Sequence, residues 1–203
     1  MKTIVTHYGP RENCSWIHDF SDGDYLIYNR TADKLENSLP RANYGDCDYD
    51  KLSYLVDYYD ELPELFLLTK SNIFKFITPE EFWPLKEAKD YTPVLTQNHR
   101  VYSDERGQVC FYDNGLYYER NDSWYTNSVP GRHFKTYGEF AEHFSLLSPE
   151  YIGFAPGGSY ILTKERVYRH SRDFYNELRN LLPYSVRPGE AQMIERSYHT
   201  LWS

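Results

Sequence analysis

Cysteine is scarce in this chain. Cys14, Cys47 and Cys110 are odd in number and far apart, and no CxxC pair is present. That usage points to reduced thiols and argues against a disulfide scaffold or a zinc site. Positive charge is short as well: 22 Lys and Arg stand against 30 Asp and Glu, a net charge of −8. A nucleic-acid polymer therefore lacks the basic face it needs to shed counterions, although a nucleotide as a small ligand stays open. No run approaches the ~20 apolar residues of a membrane span. Met1-Lys2 leads straight into Thr3-Ile4-Val5-Thr6 without the apolar core of a signal peptide. The expectation is a soluble cytoplasmic chain with no transmembrane segment. Catalytic signatures are missing too. Ser15, Ser71 and Ser159 lack a G-x-S-x-G setting, no cysteine falls in a Cys–His pattern, and there is no P-loop, no HxxxH and no repeat.

What is abundant is aromatic. Twenty-one tyrosines and 11 phenylalanines in 203 residues supply bulk with polar tips, suited to a core or to a sugar- or nucleotide-binding wall. The length suits one domain with room for a small inserted unit. The chain is organised around its last quarter, residues 154–202. There Pro156-Gly157-Gly158 forms a turn whose glycines accept positive φ and let a ligand approach the main chain. Tyr160, Ile161 and Leu162 resume an extended run, and Thr163 is an N-cap for a helix from Lys164. A second turn, Pro188-Gly189, launches a helix carrying Glu190, Glu195 and Arg196. Such turns serve equally as punctuation between packed elements.

Ahead of that block, residues 3–7 read as a buried first strand ended by Gly9-Pro10. Residues 14–20 read as a short helix, and residues 25–28 as a second strand. This is the opening of an α/β sheet, whose ligand sites lie at the carboxyl ends of strands. His7, Tyr8, Asn29 and Arg30 occupy those ends. Leu52, Leu55, Val56 and Tyr59 have i, i+3, i+4, i+7 spacing, so a helix is expected over residues 50–62 with Asp50 as its N-cap. Residues 65–69 form a fully buried strand delivering Lys70, Ser71 and Asn72 to the same edge. A helix starting at Pro79 with Thr78 as cap, an Asn114-Gly115 hairpin, a strand at Trp124-Tyr125 and a helix over 138–147 complete the reading. The division is a donor-side α/β half (1–90), an aromatic hairpin insertion (91–135) and an acceptor-side half (136–203).

The stretches IVTHY, Tyr28-Asn29, LSYLVDYYDELP, FLLTKSN, FAPGGSYI and PGEAQMIER together carry a family likeness. The chain resembles small proteins of bacterial surface-polysaccharide loci, with fungal relatives, that look like reduced GT-A-type glycosyltransferases. The resemblance implies a GT-A-like mixed sheet flanked by helices, and a cytoplasmic transferase moving a sugar from a nucleotide-sugar donor to a glycan acceptor in capsule biosynthesis. It also implies Mg²⁺ or Mn²⁺ held by an Asp-x-Asp after the central strand. That position reads Thr69-Lys70-Ser71-Asn72 here, without a carboxylate, so Lys70 becomes a metal-independent route to the same charge neutralisation.

By that resemblance His7, Tyr8, Asn29, Arg30, Lys70, Ser71 and Asn72 form the donor side, with Gly157, Gly158 and Arg196 toward sugar and acceptor. Glycosyl transfer with inversion needs a carboxylate base, for which Glu190 and Glu195 are the candidates. Asp46 and Asp48 are the metal candidates, or else acidic residues favouring a helix N-terminus. Gln97-Asn98-His99-Arg100 edges the acceptor pocket or is a solvated loop. Two other functions are weighed: a degenerate transferase that binds a nucleotide sugar or glycan without turnover, and a glycosidase in which Glu190 and Glu195 converge. Their spacing of five on one helix is poor for the latter.

Overall fold

The computed structural model describes residues 1–9, 12–95, 99–122 and 131–203. The strand expected at Trp124-Tyr125 lies outside the described residues. Among the described residues ten strands form two sheets. The larger contains β1 (Lys2–His7), β2 (Tyr25–Asn29), β3 (Ser38–Pro40), β4 (Leu65–Lys70), β5 (Thr92–Pro93) and β10 (Tyr160–Thr163), in the order β3-β2-β1-β4-β10-β5. Strands β3, β2, β1 and β4 run parallel, and β10 is antiparallel to both its neighbours. The second sheet is an antiparallel meander of β6 (Tyr102–Asp104), β7 (Gly107–Asp113), β8 (Leu116–Arg120) and β9 (Tyr151–Phe154).

Seven α-helices are described: α1 (Ser15–Ser21), α2 (Asp46–Asp57), α3 (Pro79–Phe82), α4 (Tyr137–His143), α5 (Lys164–Val167), α6 (Arg172–Asn180) and α7 (Gly189–Trp202). None is long and apolar enough to cross a membrane.

Successive side chains on a strand point to opposite faces, and the core divides accordingly. Ile4, Tyr28, Phe66, Leu68, Tyr160 and Leu162 face one way and pack with Leu52 and Leu55 of α2 and with Tyr198 and Trp202 of α7. Val5, Ile27, Leu67 and Ile161 face the other way, onto Trp16, Ile17 and Phe20 of α1 and Phe82 of α3. Each of the large side chains among them stabilises the fold by about 1.5–3 kcal/mol through burial. Both faces of the parallel strands are covered, which is why β1 and β4 read as near-continuous apolar runs.

Local signals worked where the chain carries its own instruction. Thr78 and Glu81 form a capping box on α3, with Pro79 at its first position. Asn114 and Gly115 both have positive φ, as a primed hairpin turn between β7 and β8 requires. Two differences from expectation bear on the site. Helix α2 starts at Asp46, four residues early, because Gly45 takes φ +74 and turns the chain into the first turn. Asp50 is consequently a buried mid-helix residue, not an N-cap. The aromatic hairpin is also no separate unit: it recruits β9, and the Pro156-Gly157-Gly158 turn carries the chain from that sheet into β10 of the larger one.

The chain lays β1, β2 and β3 in one direction and then returns through α2 to place β4 on the far side of β1. Between β1 and β4 the strand order reverses. Such a switch point leaves a crevice at the carboxyl ends of the two strands, and a ligand sits there in open α/β sheets.

Candidate functional site

A cavity of about 370 Å³ opens at the carboxyl end of β4, beside that crevice. Its walls come from five parts of the chain. Lys70 ends β4, with Phe76 six residues on, and Asp46 opens α2. Gln192, Glu195 and Arg196 descend from α7, at the i, i+3, i+4 spacing that puts side chains on one helix face. The second sheet closes the far side with Tyr102, Cys110, Tyr117, Glu119 and Phe154, next to His99 and Arg100. Pro156 and Gly157 form the rim where the chain passes between sheets. An adjoining hollow of about 550 Å³ shares Asp46, Lys70 and Gln192 and adds Tyr8, Asn72, Lys75 and Arg187. Together they give the size and mixed polarity of a small-molecule site.

Charge inside the crevice is dense. Lys70 lies 4.6 Å from the centre of the Phe76 ring, a cation–π contact. Burial opposes its ammonium, but nearby negative charge outweighs burial and holds the Lys70 pKa above its usual value. Burial pushes the Cys47 thiol up to about 12, so at neutral pH that negative charge belongs to Glu195, Asp46 and Asp48 and not to a thiolate. Asp46 accepts from the Tyr8 hydroxyl and, at 2.6 Å, from the Cys47 backbone N–H. Burial works against its charge, yet the Tyr8 bond and the Lys70 charge hold the carboxyl below its usual range. Glu195 is half-buried, and its Oε1 accepts the Gly157 N–H at 2.7 Å. Burial lowers the pKa of His99 against the opposing pull of Glu195, so its ring is neutral at pH 7.

Of the residues singled out in the sequence, Lys70, Gly157, Glu195, Arg196 and Asp46 meet around this cavity, with Tyr8 and Asn72 in the adjoining hollow. Gly157 has φ +92, and an added Cβ would sit 2.9 Å from the Phe76 ring. Arg196 is buried, pairs with Glu119 through Nε at 3.0 Å and lies over the Phe154 ring.

Glu190 is not part of the site, a correction to its expected role as base. It is fully buried, and its carboxylate accepts the His133 and Phe134 N–H groups and the Tyr184 hydroxyl. Five residues turn an α-helix by about 500°, which leaves Glu190 roughly 140° around α7 from Glu195. The glycosidase pairing of the two carboxylates has no geometric basis.

The donor-side expectations at the ends of β1 and β2 also need correcting. Asn29 holds its own loop, donating to the Asp33 carbonyl and accepting from Thr31. Arg30 donates to Asp50 Oδ2 at 2.9 Å and to the Asp46 carbonyl, which clamps β2 to α2. His7 is buried, with Nδ1 3.2 Å from both Ser71 Oγ and Cys14 Sγ. Ser71 also donates to Glu12 and faces a different hollow with Asn13 and Phe74. A cysteine thus does stand beside a histidine, contrary to the sequence reading. Burial, with Glu12 and Asp33, pushes the Cys14 thiol up to about 11, so it is not a ready nucleophile.

The metal candidates Asp46 and Asp48 stand together in the first turn of α2. Ligand atoms of Asp46, Cys47 and Asp48 lie within 4.8 Å of one another. Among them, however, stands the Lys51 ammonium, 3.3 Å from Cys47 Sγ and 3.4 Å from Asp48 Oδ1. Asp48 is buried and also accepts the Tyr198 hydroxyl at 2.8 Å. These residues fit an ammonium and do not fit a divalent cation. Gly158 belongs to the same cluster, not to the cavity wall: a Cβ there would lie 2.6 Å from Lys51 Nζ.

Sequence reasoning missed Lys51, Phe76, Tyr117, Glu119 and Gln192; of the cluster expected either to edge the acceptor pocket or to be a solvated loop, His99 and Arg100 line the cavity. Lys51 carried a readable signal, since Cys47, Asp48 and Lys51 share a helix face once α2 starts at Asp46. The second-sheet residues carried none, because their approach depends on how two sheets pack. Gln97 and Asn98 lie outside the described residues.

No curated protein and no solved structure matches the chain. One family model does, over residues 4–203, and it is described as a protein of unknown function (DUF3431). The chain belongs to that family.

Proposed function

We propose that the protein is a glycosyltransferase of GT-A-like fold, moving a sugar from a nucleotide-sugar donor to a glycan acceptor. The surface-polysaccharide setting comes from the sequence resemblance alone. The observation that carries the chemistry is the meeting of Lys70, Gly157 and Glu195 around one cavity at the carboxyl end of β4. The donor diphosphate lies along Lys70, with Lys75 farther along the adjoining hollow. The sugar ring lies against the Gly157 backbone and the faces of Phe76, Tyr117 and Phe154, where apolar ring carbons meet aromatic carbon.

In this reading the acceptor hydroxyl attacks the anomeric carbon while Glu195 takes its proton. A bond forms from acceptor oxygen to sugar as the sugar–diphosphate bond breaks. The electron pair leaves with the diphosphate, whose charge Lys70 meets. Arg196 acts indirectly: its bond to the Gln192 carbonyl at 3.2 Å and its pair with Glu119 hold the face of α7 that presents Glu195.

The test is thermal-shift screening of the full chain against uridine-, guanosine- and cytidine-linked sugars, followed by transfer and donor-hydrolysis assays. A specific stabilisation is expected from one donor class, lost in Lys70→Ala. Glu195→Gln is expected to keep donor binding and lose turnover by about 10²–10⁴-fold. If no nucleotide sugar stabilises the chain, the transferase reading fails. Donor binding without turnover in the wild type instead identifies a binding protein built on a transferase frame.

A further inference from the structure

We infer that the Lys51 ammonium is the built-in cation of the Asp46-Cys47-Asp48 cluster, occupying the position a divalent metal would need there, and that the cavity works without one. The inference deepens the nucleotide-sugar reading and rests on it for the identity of the ligand. The placement of Lys51 is independent of that reading.

An ammonium has three N–H donors. Lys51 Nζ finds three acceptors: Cys47 Sγ at 3.3 Å, Asp48 Oδ1 at 3.4 Å and the Gly157 carbonyl at 3.4 Å. Two of these sit one helical turn before it on α2, and the third comes from the turn that rims the cavity. The side chain is 1 % exposed, so this position is fixed by packing and not by solvent. Gly158 leaves it the space, since a Cβ at that residue would come within 2.6 Å of Nζ.

A divalent ion bound to the same atoms needs contacts of about 2.0–2.6 Å. It would therefore have to displace the ammonium or share one carboxylate with it at close range. The second carboxylate of the cluster already spends one oxygen, since Asp46 Oδ1 accepts both the Tyr8 hydroxyl and the Cys47 N–H. The two lysines divide the task that a metal performs elsewhere. Lys51 neutralises Asp48 and fixes the Gly157 rim from behind, and Lys70, on the cavity wall, meets the ligand's phosphates.

The test uses the purified full chain. Mn²⁺ alone is titrated and followed by its electron paramagnetic resonance signal. Uridine and guanosine diphosphates are then assayed by thermal shift in EDTA and in Mn²⁺. The wild type is expected to leave the free-Mn²⁺ signal unchanged, and any nucleotide shift is expected to be equal in the two buffers. Micromolar, one-to-one uptake of Mn²⁺ by the wild type overturns the inference, as does a nucleotide shift that vanishes in EDTA. Lys51→Met opens the position, and a folded variant is expected to take up Co²⁺ with a thiolate charge-transfer band from Cys47. A folded variant that takes none overturns the assignment of this cluster as a cation position. If the variant does not fold, the wild-type measurements still decide. Failure of every nucleotide to bind, with Mn²⁺ refused and Co²⁺ taken by Lys51→Met, refutes the transferase reading and leaves the Lys51 assignment standing.

Discussion

Arg196 on the last helix and Glu119 on β8 form a buried ion pair across the join between α7 and the second sheet, with Nε 3.0 Å from Oε2. The pair fixes one wall of the cavity against another. Glu119→Leu withdraws the carboxylate that offsets a buried guanidinium, and the expected loss is about 3–5 kcal/mol in urea unfolding. The double variant Glu119→Leu/Arg196→Met is expected to recover most of it, because a well-packed apolar pair of similar volume avoids desolvating charge.

Glu190 and Glu195 are expected to separate by phenotype. Glu190→Ala removes the acceptor of the His133 and Phe134 N–H groups and of the Tyr184 hydroxyl. It is expected to cost roughly 1–3 kcal/mol per group left unmet, read as a lower unfolding midpoint. Glu195→Gln keeps an acceptor for the Gly157 N–H and is expected to change stability by about 0.5 kcal/mol or less. Equal destabilisation by the two would contradict the placement of Glu190 outside the cavity.

Two glycines with positive φ make a matched comparison. Gly107 has φ +110 with open space where a Cβ would go, so Gly107→Ala bears backbone strain alone, about 1–3 kcal/mol. Gly157→Ala adds a clash with the Phe76 ring at 2.9 Å, worth about 1–3 kcal/mol more. Denaturant midpoints in that order are expected, and a reversal would show that the rim is looser than its packing implies.

Stability is expected to depend on pH through Asp48. Burial raises its carboxyl to about 6, against the opposing Lys51 charge. A carboxyl with a raised folded-state pKa binds more protons folded than unfolded between its ordinary value and the folded one. Its contribution is thus full below about pH 4 and declines as pH rises through about 6. Asp46, held low, contributes in the opposite sense, and its share is lost only as the medium becomes more acid than an ordinary carboxyl's pKa. Asp48→Asn is expected to flatten the slope between about pH 4 and 6 in a series of chemical melts. An unchanged slope would reject Asp48 as its source.

Much of the frame was legible because each element carries its own pattern. β1 and β4 show the apolar runs of doubly covered strands, α3 shows its capping box, and Asn114-Gly115 its hairpin. Strand β3 was not legible: Ser38, Leu39 and Pro40 offer neither alternation nor β-branching and lie at a half-exposed edge. Helix α6 was passed over as well, although Ser171 caps it. The onset of α2 was misjudged because apolar periodicity begins at Leu52, whereas the backbone turn that starts the helix is made by Gly45.

The site divides along the same line. Strand ends and Pro-Gly turns are local features, so the sequence already determined that Lys70, Gly157 and Glu190 would stand at element boundaries. Which of those boundaries meet was a tertiary matter. Only the order of the strands brought Lys70 to the switch point, and only helical phase sent Glu195 into the cavity and Glu190 away from it. Only packing placed Lys51 beneath Gly157, 106 residues along the chain. A contact between residues so far apart in sequence depends on the closure of every element between them, and no local pattern records it.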